Sequence, residues 1–416
     1  MKVNTKIAWG AVLLVLVYRL ISCSSQETEA EIAARVSMLH DRVLTVDTHA
    51  DTPSRLLRED WDIGKRHESK ERRGSKIDLP RMAEGGLDAE FFAVFVGQGA
   101  RTPEGYEGAK ERALLILDAI HKMCADYPEL VALATTPEDA YRIEKEGKRA
   151  AFIGMENGYP IGKDLSLIEK YYERGVRYIT LCHSRDNDIC DSSTDTEGPE
   201  DNGLSAFGKE VVAECNRLGI MVDVSHASEK SFYDIIESTK APIIASHSSV
   251  RALCDHPRNL TDEQLKALAE NDGVIQICFV SDFIKEQPPN PGRDAALEVL
   301  RKKYESRRDI RDEAERAKLY AEYQAIYEKY PGEKTTLKEL VDHIDHVVEL
   351  IGVDHVGIGT DFDGGGGVDG CNDVSEMPHV TEELLRRGYS EDDIQKIWGG
   401  NIMRVLARVI EVSELT

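Results

Sequence analysis

Residues 220–247 read IMVDVSHASEKSFYDIIESTKAPIIASH, and this stretch decides the architecture. Ile220–Val224 is a short run of strand type that ends in Ser225-His226. Ser228–Glu237 is an amphipathic helical pattern, and Ile243–Ala245 is a second run that again ends in Ser-His, at Ser246-His247. Short apolar runs separated by helices suit a parallel sheet covered on its faces. The alternation continues outward in both directions. Upstream lie Val43–Val46, Ala89–Val96, Ala151–Gly154 and Tyr178–Leu181, and downstream lie Val274–Ile277 and Val356–Gly359. Amphipathic segments fall between them, among them Gly108–Cys124, Leu204–Leu218 and Thr261–Glu270, the last opened by the helix-start signal Thr261-Asp262-Glu263-Gln264. Eight strand–helix alternations are what a closed, TIM-like (β/α)8 barrel of the α/β class requires. The alternative is an open doubly wound sheet, but no G-x-G-x-x-G follows the first strand.

A chain of 416 residues suits one large barrel with insertions. The rhythm breaks once, after the seventh strand. The segment at about 285–335 is rich in Arg, Lys, Glu and Tyr and predicts a charged helical insertion. It reads equally as a solvated excursion, a lid or a subunit contact, and the last would make the protein a homodimer. Glu391–Val409, with Trp398-Gly399-Gly400-Asn401, predicts a terminal helix that closes the barrel. The start of the chain belongs to no fold. Lys2 and Lys6 precede the apolar run Ile7–Val17, which is too short to span a bilayer, and Leu20-Ile21-Ser22-Cys23 resembles a lipobox. We read residues 1–22 as a lipoprotein-type signal peptide, Cys23 as the lipid-bearing residue that attaches the protein to the membrane, residues 23–35 as a tether and 36–416 as a single catalytic barrel domain. Arg19 is unusual so close to cleavage, and an ordinary secretory signal is the alternative. Either way this is an exported bacterial protein, and the lipid reading places it in the cell envelope, at the outer membrane or in the periplasm.

Hydrophobic residues make up 41% and charged residues 31% of the chain, and the formal net charge is -24. Such a field repels phosphate backbones and argues against a nucleic-acid partner. Beyond Cys23, the seven cysteines are Cys124, Cys182, Cys190, Cys215, Cys254, Cys278 and Cys371, with no C-x-x-C pair to suggest a thiolate zinc site. Cys254 with Cys278 is one pairing open to an exported chain.

The polar residues sit at the ends of the runs. The first is followed by Asp47-Thr48-His49-Ala50-Asp51, the third by Met155-Glu156-Asn157, the fourth by Cys182-His183 and the eighth by Thr360-Asp361-Phe362-Asp363. With His226 and His247 they converge on one rim of a barrel, the usual catalytic face. A single His there is more often structural than catalytic. Several together are hard to explain that way, because buried ionisable groups need partners. His49 and Asp51 are two apart on extended chain and so project to one side. Imidazole nitrogen with carboxylate oxygen suits zinc. Glu156, between the two groups around the rim, can give one oxygen to each of two metals. No G-x-S-x-G elbow competes.

Taken together, His49-x-Asp51, Gly154-x-Glu156-Asn157, Leu181-x-His183, Asp223-Val224-Ser225-His226, Ser246-His247-Ser248, Arg258-Asn259 and Asp361-Phe362-Asp363-Gly364 resemble the renal, or membrane, dipeptidase family of the metal-dependent amidohydrolase superfamily. The resemblance runs from about His40 to Leu406. It implies two Zn2+ per chain, one held by His49, Asp51 and Glu156 and the other by Glu156, His226 and His247. It further implies that a hydroxide between them attacks the peptide carbonyl of a dipeptide. His183 would bind the developing oxyanion, Asp361 would shuttle the proton, and Arg258 would clamp the substrate's C-terminal carboxylate. Tolerance of a D-residue at the C-terminal position is implied too.

Each role has a plainer counterpart. His183 could merely orient a ligand, Arg258 could form a surface ion pair, and Asp363 could share the work of Asp361 or cap the Gly364–Gly367 loop. His343 and His346, on a predicted helix with Asp342 and Asp345, read as a solvated face, and His355 precedes the last strand at the wrong end for catalysis. Where the family commonly has a Tyr lining the pocket after the seventh strand, this chain has Phe283, which puts side-chain preference in doubt. The alternative activity is that of a related amidohydrolase acting on N-acyl amino acids or cyclic amides. A non-catalytic binding protein is disfavoured by the complete ligand set.

Overall fold

The computed structural model describes residues 28–68, 74–304 and 313–415. Nine strands form one parallel sheet: β1 (Val46–Ala50), β2 (Ala89–Phe95), β3 (Val131–Leu133), β4 (Arg149–Glu156), β5 (Val176–Thr180), β6 (Met221–Asp223), β7 (Ile244–Ser248), β8 (Val274–Ile277) and β9 (Val356–Ile358). Eight of them follow one another round a barrel in the order β1-β2-β4-β5-β6-β7-β8-β9, while β3 pairs with β4 alone, off that path. Just beyond the strand ends the ring is closed. Asp361 N–H donates to the His49 carbonyl at 3.0 Å, and Asp51 N–H donates to the Phe362 carbonyl at 2.9 Å. All eight expected strands are present. β3 is the addition, and at three residues its apolar run is too short to stand out.

The first strand starts three residues later than its apolar run suggests, so His49 lies inside it rather than after it. The residues that replace Val43–Thr45 in the strand are polar yet fully buried. Their bonds are made across the barrel. Asp47 accepts from the Thr360 backbone N–H at 2.8 Å and hydroxyl at 2.5 Å, and the Thr48 hydroxyl donates to the Ser246 carbonyl at 2.7 Å. Those long-range partners are invisible in a local hydrophobicity pattern.

The barrel floor is plugged by the helix Asn401–Leu415. Its Val405, Leu406 and Val409 pack with Val46, Phe91, Phe152, Met221, Ile244 and Val274 from the strand bottoms. Full burial of each such side chain contributes about 1.5–3 kcal/mol. The helix comes this close because Lys396–Gly400 widens into a π turn, and because a Cβ on Gly399 would stand 2.3 Å from the Leu44 carbonyl oxygen. The expected terminal closure is therefore present.

Residues 29–35, expected within the tether, are instead helical. Glu29–His40 is opened by a capping box between Thr28 and Glu31 and buries Ile32, Val36 and Leu39 on one face. The leader, Cys23 and tether residues up to 27 lie outside the described residues. The insertion contains the helices Pro291–Tyr304 and Glu313–Lys329, joined by a Lys303–Glu322 ion pair of 2.5 Å. Among the described residues no helix is long and apolar enough to cross a membrane. Cys254 and Cys278 are separate free thiols rather than a pair.

His343 corrects the solvated-face reading of the helix Leu337–Ile351. It is 1% exposed, its Nδ1 accepts from the Val250 N–H at 3.0 Å, and its Nε2 lies 2.9 Å from the Ile284 carbonyl. His346 is half-buried against Asp262 at 2.8 Å. Burial pushes the His343 imidazole down to about 4, with the Ile284 carbonyl pulling the other way. The folded state therefore holds the neutral ring while the unfolded chain takes up a proton below about 6.5. This contribution to stability is complete above pH 6.5 and is lost as the pH falls towards 4, on the order of 3 kcal/mol in all. Urea unfolding at pH 7 and pH 4.5 should show a steeper acid loss for wild type than for His343→Gln. Parallel losses would refute the neutral buried ring.

Candidate metal centre

Seven of the sequence-selected residues meet at the C-terminal mouth of the barrel. His49, Glu156 and His247 project from within β1, β4 and β7, while Asp51, His183, His226 and Asp361 follow the ends of β1, β5, β6 and β9. His226 and Asp361 turn with φ of 71° and 56°. Left-handed backbone is uncommon outside glycine and concentrates at functional sites, where the surrounding fold holds it in place.

Glu156 is the hub. Its Oε2 lies 3.5 Å from His49 Nε2, and its Oε1 lies 3.2 Å from His226 Nε2, 3.5 Å from His247 Nε2 and 3.6 Å from His183 Nε2. His226 Nε2 and His247 Nε2 are 3.0 Å apart. Three overlapping groups have ligand atoms close enough to share an ion: His49-Glu156-His247, Glu156-His183-His226 and His49-Asp51-Asp361. Buried polar atoms normally have hydrogen-bond partners, yet His49 Nε2 and Asp51 Oδ1 have none. The electrostatics point the same way. Burial pushes the Asp51 carboxyl well up, and Glu156 pushes it further. On His49, burial opposes a charge, but Glu156, then Asp51 and Asp361, outweigh it and lift the imidazole to about 10. A proton on His49 is thus drawn to the place where carboxylates crowd and a cation would fit. Imidazole nitrogens and carboxylate oxygens in this number fit zinc or a similar divalent ion.

The same mouth opens into a cavity of about 270 Å³, lined also by His183, His256, Arg258, Val280 and Phe283. That volume falls just below the usual range for ligand sites, roughly 300 to 1,000 Å³. Arg258 is 4% exposed, so the surface-ion-pair reading does not hold. Its Nη2 donates to the His247 carbonyl at 2.9 Å and its guanidinium lies over the Phe283 ring at 5.3 Å. Asp361 is buried, and that burial pushes its carboxyl up to about 7, with His49 pulling it down. His183 is the most open of the four histidines around Glu156, with 28% of its side chain exposed, and burial lowers its imidazole.

Asp363 does not share this site. It accepts from Arg55 at 3.0 Å, Thr52 at 2.8 Å, Ser75 at 2.5 Å and the Lys76 N–H at 2.9 Å, and so pins the segment after β1 beneath the mouth. His355 Nδ1 donates to the Gly273 carbonyl, 2.8 Å away, at the start of β9 and far from the mouth. Three contributors escaped sequence reading. Tyr178 places its hydroxyl 2.8 Å from His49 Nδ1. Ser246 lies 2.9 Å from His247 Nδ1 and donates to Asp223 at 2.6 Å. Gly364 stands where a Cβ would be 2.0 Å from Asp361 Oδ1 and 2.1 Å from Asp51 Oδ2. Asp223, Ser246 and Gly364 each belong to a quoted motif, which was the one signal available.

The profile of the family described as membrane dipeptidase (peptidase family M19) matches residues 33–416. Dipeptidase tcpJ of Claviceps purpurea is 32% identical over 359 residues, covering 85% of this chain and 74% of that protein. The crystal structure of the probable dipeptidase PvdM from Pseudomonas aeruginosa superposes with a TM-score of 0.79 at 33% identity, over 92% of this chain and 100% of that one. A metallo peptidase from Rhodobacter sphaeroides, solved with a phosphinate mimic of the dipeptide L-Ala-D-Ala, gives 0.68 at 26% identity, over 88% and 99%.

Proposed function

Because the chain belongs to the membrane dipeptidase family, a family of metallopeptidases, we propose that it hydrolyses dipeptides at the Glu156 cluster with two zinc ions. The observation that carries this reading is the convergence of four histidine Nε2 atoms on one buried carboxylate, with further carboxylates and an arginine on the same cavity. His49, Asp51 and Glu156 would hold one ion and Glu156, His226 and His247 the other. When bound, the ions supply Lewis acidity that polarises the carbonyl and brings a water near deprotonation at neutral pH. The remaining work falls to the chain. Asp361 takes the proton from the attacking water on a carboxylate oxygen and returns it to the leaving amine. His183 donates from Nε2 to the carbonyl oxygen as negative charge develops there. Arg258 fixes the substrate's C-terminal carboxylate with charge-assisted hydrogen bonds. The small cavity favours dipeptides over longer chains. The dipeptide mimic bound by the Rhodobacter sphaeroides relative supports tolerance of a C-terminal D-residue. The apolar run Ile7–Val17 and Leu20-Ile21-Ser22-Cys23 support an exported protein with a lipid on Cys23.

Elemental analysis of the purified protein should find close to two metal ions per chain, chiefly zinc. Amine release from a dipeptide library should disappear with a chelator and return with zinc. Full activity in metal-free protein would end this reading.

Substrate recognition gives a second test. Arg258→Ala should raise KM for dipeptides at least tenfold, since a charged hydrogen bond contributes roughly 1.5–3 kcal/mol and about 1.4 kcal/mol is tenfold. C-terminally amidated dipeptides should be poor substrates of the wild type. Equal cleavage of free and amidated forms would favour the alternative activity on N-acyl amino acids or cyclic amides.

A further inference from the structure

One imidazole beside Glu156 is fixed through a chain of side chains, and we propose that Ser246 and Asp223 are positioning residues that hold His247 in the tautomer that ligates an ion. This rests on the metal-dependent reading above. A neutral imidazole that offers its Nε2 lone pair to an ion must carry its hydrogen on Nδ1. For His247 the fold enforces that tautomer. Asp223 accepts at Oδ1 from the backbone N–H groups of Ser225, at 3.0 Å, and Ser246, at 2.9 Å. It accepts at Oδ2 from the hydroxyls of Thr180, at 2.5 Å, and Ser246, at 2.6 Å. A carboxylate engaged by four donors has no hydrogen to give. The Ser246 hydrogen is therefore committed to Asp223, and Ser246 Oγ faces His247 Nδ1, at 2.9 Å, as an acceptor. The Nδ1–H must donate to it, and Nε2 is left bare. Such a relay through a second residue to a carboxylate both orients a ligand and raises its basicity.

His49 has no such relay. Its Nδ1 meets only the Tyr178 hydroxyl, at 2.8 Å. That hydroxyl can donate as well as accept, and His49 is its one hydrogen-bond partner among the described residues. The Tyr178 ring is held in place, since it lies where a Cβ on Gly154 would be 2.0 Å away. A hydroxyl that can do either matches His49 whichever nitrogen carries the hydrogen, so Tyr178 does not dictate that tautomer. His226 Nδ1 has no hydrogen-bond partner among the described residues. Of these three imidazoles, His247 is the one that a relay fixes.

The zinc-loaded protein can be challenged with a graded chelator while residual metal is measured by elemental analysis. Ser246→Ala, which removes one oxygen and leaves Asp223 three donors, should lower the affinity for one of the two ions by 10- to 100-fold relative to wild type. Ser246→Cys, whose sulfur is a weak acceptor, should do the same, so misfolding of one variant cannot hide the result. Ser246→Thr should restore the wild-type profile. Tyr178→Phe should leave the ion that depends on Ser246 as tightly held as in wild type. Unshifted metal release in folded Ser246→Ala or Ser246→Cys, or the same loss in Tyr178→Phe, overturns the proposal while the metal-dependent reading stands. Wild-type protein that binds no metal overturns both.

Discussion

Asp361→Asn should keep both metal ions and lose roughly 10²- to 10⁴-fold in kcat, the usual contribution of a positioned acid–base group. Asparagine has the same shape as aspartate and tolerates the left-handed backbone that residue 361 adopts at φ 56°. The bond from its N–H to the His49 carbonyl, which closes the barrel, is untouched. What is lost is the capacity to accept a proton and return it. Steady-state kinetics with elemental analysis on the same preparation separate this role from a ligand role. Wild-type turnover would show that Asp361 has been given the wrong task, and loss of an ion would make it a ligand of the His49-Asp51-Asp361 group.

Gly364→Ala is expected to lower kcat by about 10²-fold without contributing or removing any reacting group. A methyl at this position would stand 2.0 Å from Asp361 Oδ1 and 2.1 Å from Asp51 Oδ2. Both atoms lie at the ends of short side chains and can move, so the fold should survive. They cannot move far and stay in register with Glu156, and a misplacement of about 1 Å at a reacting group costs about that factor. The expected pattern is a near-normal melting temperature with reduced turnover and weakened metal retention. Unchanged kinetics would show that the two carboxylates have slack in their placement.

These two residues also mark what can be read from a linear chain. The barrel was legible because eight apolar runs recur between amphipathic segments, a pattern carried by neighbouring residues. The rim residues His49, Glu156, His183, His226, His247 and Asp361 were legible because histidines and carboxylates directly after apolar runs are conspicuous. Asp47 and Thr48 were misplaced because polar residues within a strand look like loop, and their partners Thr360 and Ser246 are far along the chain. His343 looked solvated beside Asp342 and Asp345. Its burial depends on Val250 and Ile284, which no helical pattern reports. Asp363 could not be told from Asp361 until Arg55, Ser75 and Lys76 were seen to occupy it. Support for the ligands is the least legible layer, because Tyr178 and Ser246 act through single atoms on side chains from other strands or turns.

The plugged floor and the seam joining residues 49–51 to 361–362 have a consequence for synthesis. The chain emerges amino end first, and the helix Asn401–Leu415 comes last. A ribosome-bound fragment carries His49 and Asp51 long before Asp361, and its barrel has neither its final strand nor its base. Such a fragment can already carry all five proposed ligands, from His49 to His247, but not the closed barrel that brings them together, so metal capture would follow completion of the polypeptide. If the leader directs the chain out of the cytoplasm before it folds, the ion that loads is selected by the metal pool of the destination, not by that of the compartment where the protein is made.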